Sequence, residues 1–216
     1  IGDSAQGETL RGAGLTQRVI TIDTDEDIQK AIDILNVNNG GILNLKSGTY
    51  TVKTALTGYS AIQIIGENMS TTIIDFASTA AKLSFAGTSA YSTGTITSIA
   101  SGVNVTGSGT AWLANLTTDH QFFIAQRWYK IAAILTDTTL TLAEGYVGGA
   151  SFPGAAYRAV KVKKDIEIKE LTLKSSTGIA IDCDDVRNFV LEDITFDTNG
   201  QSITIDNASE LAFDRI

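Results

Sequence analysis

Lys169-Glu170-Leu171-Thr172-Leu173-Lys174 and Glu192-Asp193-Ile194-Thr195-Phe196-Asp197 are the same strand written twice, 23 positions apart. Two further pieces recur in the same order. Gly178-Ile179-Ala180-Ile181-Asp182 reads against Ser202-Ile203-Thr204-Ile205-Asp206 at an offset of 24, and Phe189-Val190-Leu191-Glu192 against Leu211-Ala212-Phe213-Asp214 at 22. A unit that short cannot bury its own apolar face, whereas stacked copies bury a continuous core. Three collinear matches outweigh chance likeness among short Ile/Thr strings. The reading is a parallel β-helix, with alternate apolar residues of each strand inward and polar ones outward.

Upstream, the chain breaks into short apolar pieces: Ile42–Leu45, Tyr50–Val52, Ile62–Ile65, Ile73–Phe76 and Leu83–Phe85. Taken alone they fit a sandwich, a barrel or a solenoid; the downstream repeat selects the solenoid. Before them stands one helix signal. Ile28, Ala31, Ile32 and Leu35 fall at i, i+3, i+4 and i+7, which predicts a helix over Asp25–Leu35. Thr24 with Asp27 forms an imperfect capping box, and Asn39-Gly40-Gly41 supplies the positive φ of a C-cap. Residues 1–17, rich in Gly, Ser, Thr and Gln, read as a linker or arm. Gly12-Ala13-Gly14 lacks the following helix that a phosphate loop needs.

Residues 92–159 differ in character. They carry both Trp, the single His and the single Pro, and their alternations read as antiparallel strands with short turns. The expected organisation is therefore an arm over 1–17, the cap and first coils over 18–91, an inserted small antiparallel β-barrel or sandwich over 92–159, and further coils over 160–216. Asp214-Arg215-Ile216 reads as part of a strand, so the chain is expected to be a piece of something longer.

Composition agrees. Thr (28) and Ile (25) make about a quarter of the 216 residues, and branching at Cβ suits strands better than helices. A hydrophobic share of 43% argues against disorder. A net charge of −8 without a basic stripe argues against nucleic-acid binding, and no run of 18 apolar residues predicts membrane insertion. Cys183 stands alone and His120 is the only His, which leaves no Cys-based zinc site, no multi-histidine metal site and no expected cofactor.

The N-terminal half resembles the start of a pectate-lyase-like right-handed β-helix of the bacteriophage tailspike or tail-fibre type. The resemblance rests on Val19–Ile22, on Asp27-Ile28-Gln29-Lys30-Ala31-Ile32-Asp33, on Gly40-Gly41-Ile42-Leu43-Asn44-Leu45 and on Ser47-Gly48-Thr49-Tyr50. Ile64-Ile65-Gly66-Glu67-Asn68 with Ser70-Thr71-Thr72-Ile73-Ile74 follows the same pattern. The inserted segment is similar to a small β module of phage virion proteins, through Thr106-Gly107-Ser108-Gly109-Thr110-Ala111-Trp112, Trp128-Tyr129-Lys130-Ile131 and Asp137-Thr138-Thr139-Leu140-Thr141-Leu142. The resemblance implies an all-β, right-handed, single-stranded parallel β-helix in a phage tail. It also implies a homotrimer that contacts other virion tail proteins and host surface polysaccharide, with depolymerase activity farther along the chain. The alternative it implies is a secreted polysaccharide lyase or glycoside hydrolase.

For chemistry within the chain, the one constellation is Asp182, Asp184, Asp185 and Asp206. With Ile179, Ile181, Ile203 and Ile205 inward, Asp182 and Asp206 would point outward from equivalent positions on adjacent coils. Strand spacing of about 4.8 Å would bring them near the roughly 5–5.5 Å of a retaining glycosidase pair, or into range of a shared Ca²⁺. A solvated turn explains the same residues, so they are expected to be non-catalytic. Trp112, Trp128, Tyr129 and Tyr91 could stack on sugars, but Trp112 and Trp128 are expected to form the core of the insert. His120 is expected on an exposed loop. Arg158, Lys161, Lys163 and Lys164 are expected to line a solvated strand face.

Overall fold

The structure is a computed structural model and describes residues 17–78, 80–100, 102–146, 151–175, 178–198 and 202–216; nearly all of the expected arm lies outside these. The chain opens with β1 (Val19–Ile22), α1 (Ile28–Val37), β2 (Gly41–Leu45), β3 (Gly48–Val52), β4 (Leu56–Thr57), β5 (Ile62–Gly66), β6 (Thr72–Phe76) and β7 (Leu83–Ala86). There follow β8 (Thr88–Tyr91), β9 (Thr95–Ala100), β10 (Asn104–Ser108), the single turn α2 (Trp112–Asn115), β11 (Gln121–Ile124), β12 (Arg127–Thr136), β13 (Thr139–Leu142), β14 (Ser151–Ala155) and β15 (Arg158–Lys161). The last third holds β16 (Lys163–Ser175), β17 (Ile181–Asp184), β18 (Val186–Thr198), β19 (Ile203–Asp206) and β20 (Ser209–Asp214). These elements divide into two compact units: the strands up to Ala86 and from Lys163 onward, and Gly87–Val162 together with Asn207–Ser209. The second unit thus takes in β8 and β15, which flank or overlap the ends of the segment expected over 92–159.

The first unit is a parallel β-helix. One sheet stacks β1, β2, β5, β16, β18 and β20 in that order; β3 and β6 extend it; β4, β7, β17 and β19 form another. Every described pairing in these sheets is parallel. Register makes columns of like side chains. Leu43 faces Ile64, Ile64 faces Ile168 and Ile168 faces Leu191, and all four are buried. Tyr50, Ile74 and Leu173 form a second buried column, and Leu56, Leu83 and Ile181 a third. Each coil contributes one layer, and burial is complete only where a neighbouring layer lies against it. Leu83 and Ile181 are 98 positions apart, of which Gly87–Val162 supplies 76, leaving a 22-residue coil.

The corners come from single residues in the left-handed region. Ala61, Asp165 and Asn188 have φ of 57°, 58° and 53°, and each precedes a member of the register-matched set Ile62, Ile166 and Phe189. Glu170 and Asp193 repeat the device (φ 57° and 51°), as do Asp185 and Asn207 (φ 57° and 49°). One such residue turns the strand sharply without interrupting the ladder on either side, so β16 and β18 run for 13 residues each while bending around corners. Asp and Asn tolerate this backbone better than most L-residues. The corner side chains also stack, Asn188 Nδ2 donating to Asp165 Oδ1 at 2.9 Å.

Helix α1 presents Ile28, Ala31, Ile32 and Leu35 to the core, as its period predicts. Its start differs from expectation: Asp27, not Thr24, is the N-cap, its carboxylate accepting from the Lys30 N–H. Its end is a Schellman turn. Gly40 N–H bonds the Leu35 carbonyl and Asn39 N–H that of Asn36, with Asn39 at φ 61° and Gly40 at 111°. A Cβ on Gly40 would stand 2.1 Å from the Ala61 carbonyl oxygen, so the close approach itself demands glycine.

The second unit is an eight-stranded antiparallel sheet in the order β14-β9-β10-β13-β12-β11-β15-β8. One cluster gathers side chains from β9 through β15 around Trp112, Phe122 and Tyr157. Trp112 meets both rings edge-on, at 5.9 and 5.8 Å, while Phe122 and Tyr157 stack at 4.8 Å. The polar tips are satisfied: Trp112 Nε1 donates to Tyr157 Oη, which donates to the Thr93 carbonyl. Burial pushes the Tyr157 phenol up to about 12.

Two side chains of this unit depart from expectation. His120 is only 2% exposed, not on an exposed loop. Its Nδ1 accepts from the Thr117 N–H, and Nε2 lies 3.1 Å from the Ser89 carbonyl, so the imidazole closes the turn 117–120 from inside. Trp128 is buried but stands outside the central cluster, tilted against Phe123 and donating its indole N–H to the Asn207 carbonyl.

Candidate functional site

The acidic residues of β17 and β19 sit on the outer face of the parallel sheet, because Ile181 and Cys183 take the inward positions between them. Burial, with the Asp182 charge adding to it, pushes the Cys183 thiol up to about 12, which makes it a packing group rather than a nucleophile. The register corrects the expected pairing. Asp182 lies opposite Thr204, and Asp206 lies opposite Asp184, so the coil offset here is 22 and not 24. Asp182 and Asp206 are therefore diagonal, roughly 8 Å apart at Cα from one strand step of about 4.8 Å and two rises of about 3.3 Å. The in-register carboxylates are Asp184 and Asp206. The sequence comparison aligned Ile181 with Ile205, both inward, and alternation made the wrong frame look equally good.

Asp182 is also engaged. Lys82, one residue before β7, places Nζ 2.5 Å from Asp182 Oδ2. Asp185 is one of the left-handed corner residues, as the turn reading of this stretch expects, but it is buried rather than solvated. Among the described residues, no group of three or more His, Cys, Asp or Glu side chains is arranged to hold a metal ion. Charge pairing instead ties one coil to the next: Lys174 to Asp75, Lys46 to Glu67, Arg187 to Glu210 with two 2.9 Å hydrogen bonds, and Arg215 to Asp193 and Glu192.

The aromatic candidates divide. Trp112, Trp128 and Tyr129 are buried and offer no stacking surface; Tyr91 is half-buried and accepts a hydrogen bond from the Ala111 N–H. Nor do the basic residues form one solvated face. Lys161 reaches toward Asp119 at 3.9 Å, whereas Lys163 lies 4.9 Å over the Tyr59 ring, where burial lowers its pKa.

Among the described residues, two concavities flank α1. An open cleft of about 430 Å³ is lined by Thr24, Gln29, Tyr50, Lys53 and Leu56, among others. Two of its polar side chains are already engaged: Gln29 bridges Asp33 and Thr57, and Tyr50 Oη donates to the Ile22 and Lys46 carbonyls. A smaller groove of about 240 Å³ runs between β1 and α1, with Ile20, Ile22, Ala31 and Ile34 on its walls and Asp25, Glu26, Asp27 and Lys30 beside them. Neither includes Asp182 or Asp206.

No protein-family model and no curated protein matches the sequence. Solved structures match the fold. The tailspike of Pseudomonas phage phi297 superposes with a TM-score of 0.50 and 9% identity, over 86% of this chain and 40% of its own. The chain has a tailspike-type parallel β-helix. The tailspike of Pseudomonas phage LKA1 is similar at 0.48 and 18% identity, over 87% of this chain and 38% of that one. The tailspike of Acinetobacter baumannii phage AP22, solved with capsular saccharide, gives 0.41 and 8%, over 89% and 48%. The chain thus spans between 38% and 48% of the length of these tailspikes.

Proposed function

We propose that this chain forms part of the β-helix of a phage tailspike or tail fibre, located in the virion tail, that attaches to host surface polysaccharide. One observation carries the reading: a parallel β-helix capped by a short helix matches the phi297 tailspike over 86% of the chain. The inserted antiparallel unit supports it through its likeness to a small virion β module. Immunogold labelling with antibody to this chain should mark the tail of purified virions; unlabelled virions, with the protein found instead in host culture medium, would point to a secreted enzyme.

The working assembly is a homotrimer that docks on other tail proteins. Three equivalent lateral faces close about an axis when the rotation between them fits. Light scattering on the full-length protein should return three times the chain mass, and a monomer would refute the trimer. Any depolymerase chemistry lies on coils other than these. Asp182→Asn and Asp206→Asn in the full-length protein should leave reducing-end release from host polysaccharide unchanged. A large loss of rate with folding intact would place the chemistry here.

A further inference from the structure

We infer that the free edge of β1, with the groove between β1 and α1, is a docking site for an extended, basic segment of another polypeptide, added to the sheet as one more strand. Among the described residues β1 pairs on one side only, with β2. In that pairing the Arg18 carbonyl accepts from the Ile42 N–H and the Ile22 carbonyl from the Lys46 N–H. Backbone direction alternates along a parallel strand, so Val19 and Thr21 turn their N–H and C=O groups to the open side. Val19-Ile20-Thr21-Ile22 is continuously β-branched and carries no Pro or charge, the devices that usually blunt an exposed edge.

The groove gives that edge a side-chain pocket. A strand laid along β1 would direct every second side chain into the line of Ile20 and Ile22, against Ala31 and Ile34 of α1. Asp25, Glu26 and Asp27 stand beside it with Lys30 as the one cation, and none of these forms an ion pair among the described residues. Asp27 caps α1 and Glu26 accepts from the Asp23 N–H, yet three carboxylates still face one cation. Backbone donors and acceptors, an apolar slot and this excess negative charge together select a segment that carries both branched apolar residues and Lys or Arg. This is β-augmentation: main-chain bonds supply affinity and pockets for alternate residues supply selectivity.

The test uses fluorescein-labelled Gly-Lys-Val-Arg-Val-Lys-Gly-amide, titrated with the intact chain and followed by fluorescence anisotropy. Saturable micromolar binding is expected, with none for the peptide whose Lys and Arg are replaced by Glu. Thr21→Pro should weaken binding at least about tenfold while leaving the far-UV spectrum and melting temperature near those of the parent, because the lost N–H faces away from β2. Ile34→Gln, which adds no charge, should weaken it through the groove alone. Equal binding by parent, Thr21→Pro and Ile34→Gln, or no saturable binding, would overturn the proposal. So would self-association of the chain that Thr21→Pro abolishes without any peptide binding, since it would give the edge to a second copy.

Discussion

The parallel β-helix and the antiparallel insert bury apolar side chains in opposite ways. In the helix, Leu43, Ile64, Ile168 and Leu191 form a column in which each residue meets its equivalent in the next coil. In the insert, Trp112, Phe122 and Tyr157 converge from α2, β11 and the residue before β15 on one point, with no repeat among them. A column spreads stability over many neighbour contacts of moderate size. A convergent cluster concentrates it in a few large rings, and their polar tips must then be paired inside, as Trp112 is through Tyr157 to Thr93. A single truncation should therefore be catastrophic in the insert and local in the helix.

Trp112→Ala tests the first half. Removing a fully buried indole costs on the order of 3–5 kcal/mol and also strips the Tyr157 hydroxyl of its donor. The near-UV signal of the insert should melt far earlier while the parallel ladder persists, as followed by amide hydrogen exchange at β16 and β18. Simultaneous loss of both would show that the two units do not differ in this respect. Ile168→Ala tests the second half, with an expected cost of about 2–4 kcal/mol. Exchange protection should fall mainly in β5, β16 and β18, the coils in register with the cavity. Uniform loss across the unit would break the column description.

A smaller effect separates backbone from side chain at the corners. Asn188 holds φ 53° and donates to Asp165. Asn188→Ala should cost about 1–2 kcal/mol from the left-handed backbone, whereas Asn188→Gly should recover most of it, both read by denaturant melts. The smallest effect is electrostatic. Arg215 holds the Asp193 carboxyl below the usual range, and the Ser47 N–H does the same for Glu67 with help from Lys46. A depressed carboxyl contributes stability above its unfolded pKa, roughly 4, and loses it as pH falls through the lower folded value. Melting temperatures from neutral pH downward should therefore drop more steeply for the parent than for Asp193→Asn, which keeps a residue suited to φ 51°. Identical slopes would mean that the inter-coil pairs do not contribute.

Much of the helix could be read because its interactions repeat. Leu171 against Ile194 and Leu173 against Phe196 are both a sequence match and a register match. The same logic failed just before the corner at Asp185, where Ile179-Ala180-Ile181 against Ile203-Thr204-Ile205 alternates just as well in the wrong frame. The left-handed residues Asp185 and Asn207 set the true frame, and their pattern was visible only once they were known to be equivalent. In the insert, six strand positions were readable from alternation, but β8 and β14 were not, and neither was the order β14-β9-β10-β13-β12-β11-β15-β8, since each pairing joins residues that carry no common motif.

By itself the sequence determined the solenoid, its capping helix and the existence of a foreign segment within it, because local periodicity and a short repeat state which face of each piece must be covered. The tertiary structure alone decided which carboxylates share a level, that Lys82 occupies Asp182, that His120 is enclosed and that, among the described residues, β1 pairs on one side only and lies beside an apolar groove. Those facts depend on where chain segments up to about a hundred positions apart meet. A contact between two distant side chains leaves no trace in the spacing of either one.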